Sequence, residues 1–192
     1  MEINTITSNK GNILEGLQII KPIVYQDDRG FFYESWNQSS FNNFLGKEII
    51  FSQDNHSSSK CGVLRGLHYQ AHPKPQTKLI RCVSGEVFDV AVDIRKSSPT
   101  FGEWASIILN DKNKLMVWIP EGFAHGFLSL KDNSEVIYKS SSLWSKKHER
   151  SIKWDDKRLD IKWPLEEINC SEPEISNKDA EGKLLEDADI FD

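Results

Sequence analysis

Short segments rich in Val, Ile, Phe, Trp and Tyr recur along the chain, each broken by Gly, Pro, Asn or Asp before it reaches helical length. That punctuation dictates a fold built almost wholly of strands, a sandwich or barrel. The clearest segment is Glu86 to Arg95, where Phe88, Val90, Val92 and Ile94 alternate with Asp89, Asp93 and Arg95. Successive side chains of a strand point to opposite faces, so one face is expected to be core and the other free to hold polar groups. Further strands are expected over 17–25, 30–36, 49–57, 63–70, 78–84, 104–109, 115–119, 123–130 and 135–141. Two short helices are expected, one over 40–45 with Ser39 or Ser40 as cap and Gly46 at its end, the other opened by Ser176 and weakened by Gly182.

A chain of 192 residues fits one core, and a single domain over 1–192, with its body at about 14–187, is the economical reading. A formal net charge of −5 argues against a protein made chiefly to bind nucleic acid. Cys61, Cys82 and Cys170 are widely spaced and form no CxxC pair, as expected of reduced thiols in the cytoplasm. No run of apolar residues is long enough for a membrane span, so neither export nor anchoring is expected. The stretch 141–164 is charged and irregular, yet its Trp144, Trp154 and Trp163 suggest that it packs back on the strands or caps a ligand.

Polar residues fit for chemistry gather in two stretches. In GVLRGLHYQ, Arg65 and His68 lie three apart and would face opposite sides of a regular strand; a bulge at Gly66 would turn both into one cavity. In WIPEGFAHGF, a Pro-Gly turn can deliver His125 to the mouth of a barrel. These two stretches resemble the motif regions of the cupin superfamily. Metal-binding cupins use H-x-H with a Glu in the first region, whereas here Gln70 stands two after His68, so proton chemistry without metal is expected. A neutral imidazole, His68 or His125, can serve as base near pH 7, Tyr138 can return a proton as a neutral phenol, and Lys78 can stabilise an enolate oxygen. Arg29, Arg65, Lys78 and Lys178 could hold an anionic substrate. The plainer alternative leaves His68 as a structural residue.

The stretches DDRGFFYESW, FSQDNHSSSK, GVLRGLHYQ, KLIRCVSGEVFDVAVDIRKSSPTFGEW, WIPEGFAHGF, EVIYK, IKWDD, IKWP and SNKDAEGKLL, in this order, resemble the dTDP-4-dehydrorhamnose 3,5-epimerase family over nearly the whole chain. The resemblance implies a cupin-type jelly-roll β-sandwich with a few short peripheral helices, a homodimer and no cofactor. It implies that dTDP-4-dehydro-6-deoxy-D-glucose is converted to dTDP-4-dehydro-β-L-rhamnose, in a pathway feeding cell-surface polysaccharide. His68 would be the base at C3 and C5, Asp179 its dyad partner, Tyr138 the acid on the other face and Lys78 the group at the C4 oxygen. Arg29, Glu34, Gln53, Asp54, Asn55, Arg65, His125, Glu149 and Lys178 would contact sugar, phosphate or base, while Asp89 and Asp93 would only orient neighbours. Trp144 stands where the family commonly stacks a Tyr on thymine, and Leu143 replaces a common Tyr. His72 and Pro73 receive no role. Rival readings are a C3-only or C5-only epimerase of another nucleotide-linked deoxysugar, a cupin that only binds a nucleotide sugar, and a metal-dependent cupin oxygenase or isomerase, against which Gln70 counts.

Overall fold

Alternation at a period of two residues builds two antiparallel sheets that face each other. In the computed structural model, which covers residues 1–192, the elements in chain order are β1 (Glu2–Thr7), β2 (Ile13–Lys21), β3 (Tyr25–Asp27), β4 (Gly30–Phe32), α1 (Gln38–Leu45), β5 (Gln53–Ser59) and β6 (Leu64–Gln70). They continue as β7 (Lys78–Ser84), β8 (Glu86–Asp93), β9 (Trp104–Asn110), β10 (Met116–Ile119), β11 (Phe123–Ser129), β12 (Ser134–Ser140), β13 (Glu149–Ser151) and α2 (Asn177–Ala180). One sheet runs β1-β2-β10-β7-β12-β5, the other β13-β6-β11-β8-β9, and β3 and β4 form a separate hairpin. This is the jelly-roll sandwich expected from the sequence.

Strand expectations match except at the edges. Strands β1 and β13 lie outside the expected runs, β3 shares only Tyr25 with the 17–25 run, and β4 is shorter than the 30–36 run that contains it. Helix α1 starts at Gln38, because Asn37 rather than a serine supplies the capping oxygen, to the Ser40 amide at 3.1 Å. Ser176 caps α2 as expected, accepting from the Asp179 amide.

The core between the sheets joins Ile80, Val87, Ala91, Val117, Phe127 and Val136. Strand β8 departs from the expectation of one core face and one polar face, since both of its sides are buried. Val87, Asp89 and Ala91 look inward, while Val90, Val92 and Ile94 are covered by Ile152, Leu159, Leu185 and Phe191 from the chain's last third. Trp163 belongs to this cover and meets Phe88 edge-on at 5.8 Å between ring centroids. On the other sheet, Phe41 of α1 and Trp118 shield the outer face beside Trp36 and Phe51.

One close approach governs the middle of β6. Gly66 has φ 138°, and a Cβ added there would lie 2.5 Å from the Gly126 Cα and 3.0 Å from the His125 carbonyl oxygen. Backbone on both sides leaves nothing that can yield. Gly66→Ala is therefore expected to destabilise the fold by about 2–4 kcal/mol through backbone strain and overpacking. A urea midpoint equal to that of the parent protein would refute it.

Candidate active site

A cavity of about 830 Å³ lies between the inner faces of the sheets. The five-stranded sheet supplies its first wall. His68 on β6 stands opposite His125 on β11, yet Arg65 stands opposite Phe127, so three residues of β6 span two of β11. This is a bulge at the Gly66 position, and it turns Arg65 and His68 into the same cavity, as the sequence suggested.

His68 Nε2 lies 2.5 Å from Asp179 Oδ1. Asp179 sits buried in the first turn of α2, and its other oxygen accepts from the Gly66 amide at 3.5 Å. Burial raises the Asp179 carboxyl, but the bond to His68 and the nearby Lys178 charge outweigh it and hold the group below the usual carboxylate range. Burial likewise pushes the His68 imidazole below its ordinary value, against the upward pull of Asp179. An ionised carboxylate only accepts, so Nε2 carries the proton and Nδ1 keeps its lone pair. At neutral pH the pair is thus a neutral imidazole oriented by a carboxylate. A second pair sits beside it, with His125 Nε2 2.8 Å from Asp89 Oδ2, both buried.

The six-stranded sheet supplies the facing wall. Tyr138 on β12 and Lys78 on β7 line it, with Gln53, Asn55 and Ser57 of β5. Lys78 links the walls, because its Nζ donates to the His68 carbonyl at 3.3 Å and lies 5.9 Å from the centre of the Tyr138 ring. Burial strips the ammonium of water and lowers it to about 8, although Asp89 and Glu149 favour the charge. Burial, aided by Glu149, pushes the Tyr138 phenol up, so it stays protonated at neutral pH.

At the rim, Arg65 Nε donates to Ser59 Oγ at 3.1 Å, and Lys178 Nζ meets Glu149 Oε1 at 2.9 Å. Burial raises Glu149, but Lys178 more than compensates and holds it below its ordinary range. Trp144 also borders the cavity, with its side chain about half exposed. Its backbone is fixed from within, since the Trp144 amide donates to Gln53 Oε1 at 2.7 Å. Gln70 braces the residues on either side, donating to the Leu143 carbonyl at 3.2 Å and accepting from the Ser145 amide at 2.6 Å.

Three residues expected at the site do not reach this chain's own cavity. Asp54 lies between Gln53 and Asn55 on a regular strand, so it faces outward and pairs with Lys139 at 2.9 Å. Arg29, at the exposed end of the β3–β4 hairpin, is bonded to Asp27 at 2.6 Å. Glu34 follows the hairpin and accepts from Asn37 at 3.1 Å. Asp93 binds Arg95, Ser98 and Thr100 and orients no cavity residue, whereas Asp89 does orient His125. Conversely, Gln70, Ser57 and Ser140 line the cavity without having been singled out for it. Strand alternation could have found Gln70 from His68 and Ser57 from Asn55.

With this geometry established, comparison with known proteins shows what the chain is similar to. Residues 12–187 match the family model described as dTDP-4-dehydrorhamnose 3,5-epimerase. A protein of that name from Shigella flexneri is 54% identical over 173 residues, covering 90% of this chain and 93% of the relative. The crystal structure of a dTDP-6-deoxy-D-glucose-3,5-epimerase from Legionella pneumophila Philadelphia 1, in complex with dTDP-4-keto-L-rhamnose, superposes with a TM-score of 0.88 at 45% identity, covering 98% of this chain and 95% of that one. A 3'-monoepimerase from Streptomyces bikiniensis in complex with dTDP-quinovose gives a TM-score of 0.84 at 33% identity, covering 90% of this chain and 85% of that one.

Proposed function

The chain belongs to the dTDP-4-dehydrorhamnose 3,5-epimerase family and is an epimerase of that kind, and we propose that His68, Asp179, Tyr138 and Lys78 carry its chemistry. The observation that carries this assignment is the oriented imidazole of His68 in one wall of a cavity whose other wall holds Tyr138, with Lys78 bonded to the His68 backbone carbonyl and its ammonium 5.9 Å from the Tyr138 ring centre. The substrate is dTDP-4-dehydro-6-deoxy-D-glucose and the product dTDP-4-dehydro-β-L-rhamnose, a step of dTDP-rhamnose synthesis.

His68 Nδ1 takes the C3 proton, and the electron pair of the broken C–H bond moves into an enolate whose negative charge rests on the C4 oxygen. Preorganised positive charge at that oxygen, the Lys78 ammonium, lowers the barrier. Tyr138 then gives a proton to the opposite face of C3, which inverts the centre. The imidazolium returns its proton to solvent and the phenolate regains one, so the net change is stereochemical. C5 flanks the same ketone and is inverted in the same way after the ring turns over. This scheme balances in protons alone and calls on no cofactor.

Gln53, Asn55, Trp144, Arg65, His125, Glu149 and Lys178 serve the substrate, with the Trp144 indole offering a face for stacking on the base. The same reading takes the chain, one domain throughout, as a homodimer in the cytoplasm. Exposed Tyr25, Phe31 and Phe32 of the β3–β4 hairpin support the dimer, since they offer apolar surface to a second copy. A hairpin seated there would carry Arg29 and Glu34 toward the neighbouring subunit's cavity. All three thiols are free, which suits a reducing compartment, and no helix is long and apolar enough to cross a membrane.

Incubation of the protein with substrate in heavy water, read by NMR at each ring carbon, tests the assignment. Deuterium is expected at both C3 and C5; label at one carbon alone would convert the reading to a mono-epimerase. Tyr138→Phe is expected to slow net inversion about 10²-fold while His68 still exchanges protons on its own face. Label entering with retained configuration would be the sign of this. Equal inversion rates for variant and parent would remove Tyr138 from the role of acid.

A further inference from the structure

Ser140 is two residues after Tyr138 on β12, and the two share the strand's inner face. In the ladder between β12 and β7, Ser140 stands directly opposite Lys78. Side chains so paired have Cβ atoms about 5 Å apart. Ser140 is fully buried, and its hydroxyl is one of the few buried polar groups without a hydrogen-bond partner. Leaving such a group unpaired is unfavourable. The residue opposite it, Lys78, ends in an ammonium with three donors, of which one goes to the His68 carbonyl.

We propose that Ser140 is a positioning residue for Lys78: its hydroxyl oxygen accepts one ammonium N–H when the side chain turns to the substrate's C4 oxygen, leaving another N–H for the developing enolate. This rests on the epimerase assignment above. Burial of the Ser140 oxygen favours Lys78, rather than an incoming ligand, as its partner. An acceptor at this place fixes the direction of the ammonium and favours its charged form. Other groups act on the same ammonium, namely His68 of β6, Asp89 of β8, Tyr138 of β12, Glu149 of β13 and Lys178 of α2. All of them stay in place when only Ser140 is changed.

The test measures kcat and KM for epimerisation as a function of pH in Ser140→Ala, Ser140→Cys and Ser140→Thr. In Ser140→Ala, kcat is expected to fall about ten- to hundredfold with KM within about twofold, as befits loss of a hydrogen bond to a charged group. The alkaline limb of the pH profile is expected to move to lower pH, because the ammonium loses support. Ser140→Cys, close in shape but a weak acceptor, is expected to behave like Ser140→Ala, which separates loss of the acceptor from a packing defect. Ser140→Thr keeps the hydroxyl and is expected to restore both the rate and the limb. An unchanged kcat and limb in Ser140→Ala, or a raised KM with intact kcat, overturns the proposal. Should the parent protein fail to exchange C3 and C5 hydrogens, the epimerase assignment falls first and this one with it; exchange in the parent with no effect in the variants removes only Ser140.

Discussion

Replacing His68 with Asn is expected to slow epimerisation at both carbons together, by about 10²- to 10⁴-fold, the range a positioned general base supplies. Asn ends at the place of the ring's Nδ1, short of Asp179, so it removes the abstracting lone pair and the dyad bond together, while Asp179 keeps the Gly66 amide as donor and α2 its place. Binding of dTDP is therefore expected to stay within a few fold of the parent by calorimetry. Deuterium incorporation at C3 and C5 is the direct readout. Persisting exchange at either carbon would hand that carbon to another base, and His125 is the nearest imidazole, standing opposite His68 in the ladder.

Lys78→Met is expected to lower kcat about 10²- to 10³-fold, the scale of losing one preorganised group at a developing oxyanion. The pH dependence of the parent protein is expected to report the same two groups. Activity is expected to rise with pH as His68 loses its proton, at a pH below the ordinary imidazole value of 6.5. It is expected to fall again as Lys78, lowered by burial to about 8, loses its charge. Lys78→Met is expected to abolish that alkaline fall in the residual rate. Stability should move the other way from activity. Lys78 titrates below its free value of 10.5, so at neutral pH the folded state holds an ammonium that burial disfavours, and the uncharged Met is expected to cost no stability. A melting temperature well below that of the parent would contradict this account of the buried charge.

The strand pattern was legible because a period of two is written directly into stretches such as 86–95. The bulge at Gly66 was legible too, since Arg65 and His68 cannot share a face without one. The double burial of β8 was not, because its outer cover comes from Ile152, Leu159, Leu185 and Phe191, which no local window contains. The outward position of Asp54 could have been read from strand alternation alone; grouping it with Gln53 and Asn55 followed the family motif and ignored the pleat. Asp179 illustrates the opposite limit. Nothing in SNKDA marks its carboxylate as the partner of an imidazole until α2 is folded against β6, and only the family resemblance pointed there.

Asp179 and His68 are separated by 111 positions. During synthesis the segment that forms β6 leaves the ribosome long before the one that forms α2, and the wall-building strands can pair while the residues beyond β13 are still emerging. In that interval the ring of His68 would spin without an anchor and the back of β8 would lie bare to water. Competence would then wait for the segment that both seals the sandwich and sets the imidazole. A ribosome that stalled beyond β12 would release a chain with cavity walls, an inert base and a sticky flank for chaperones and proteases to seize.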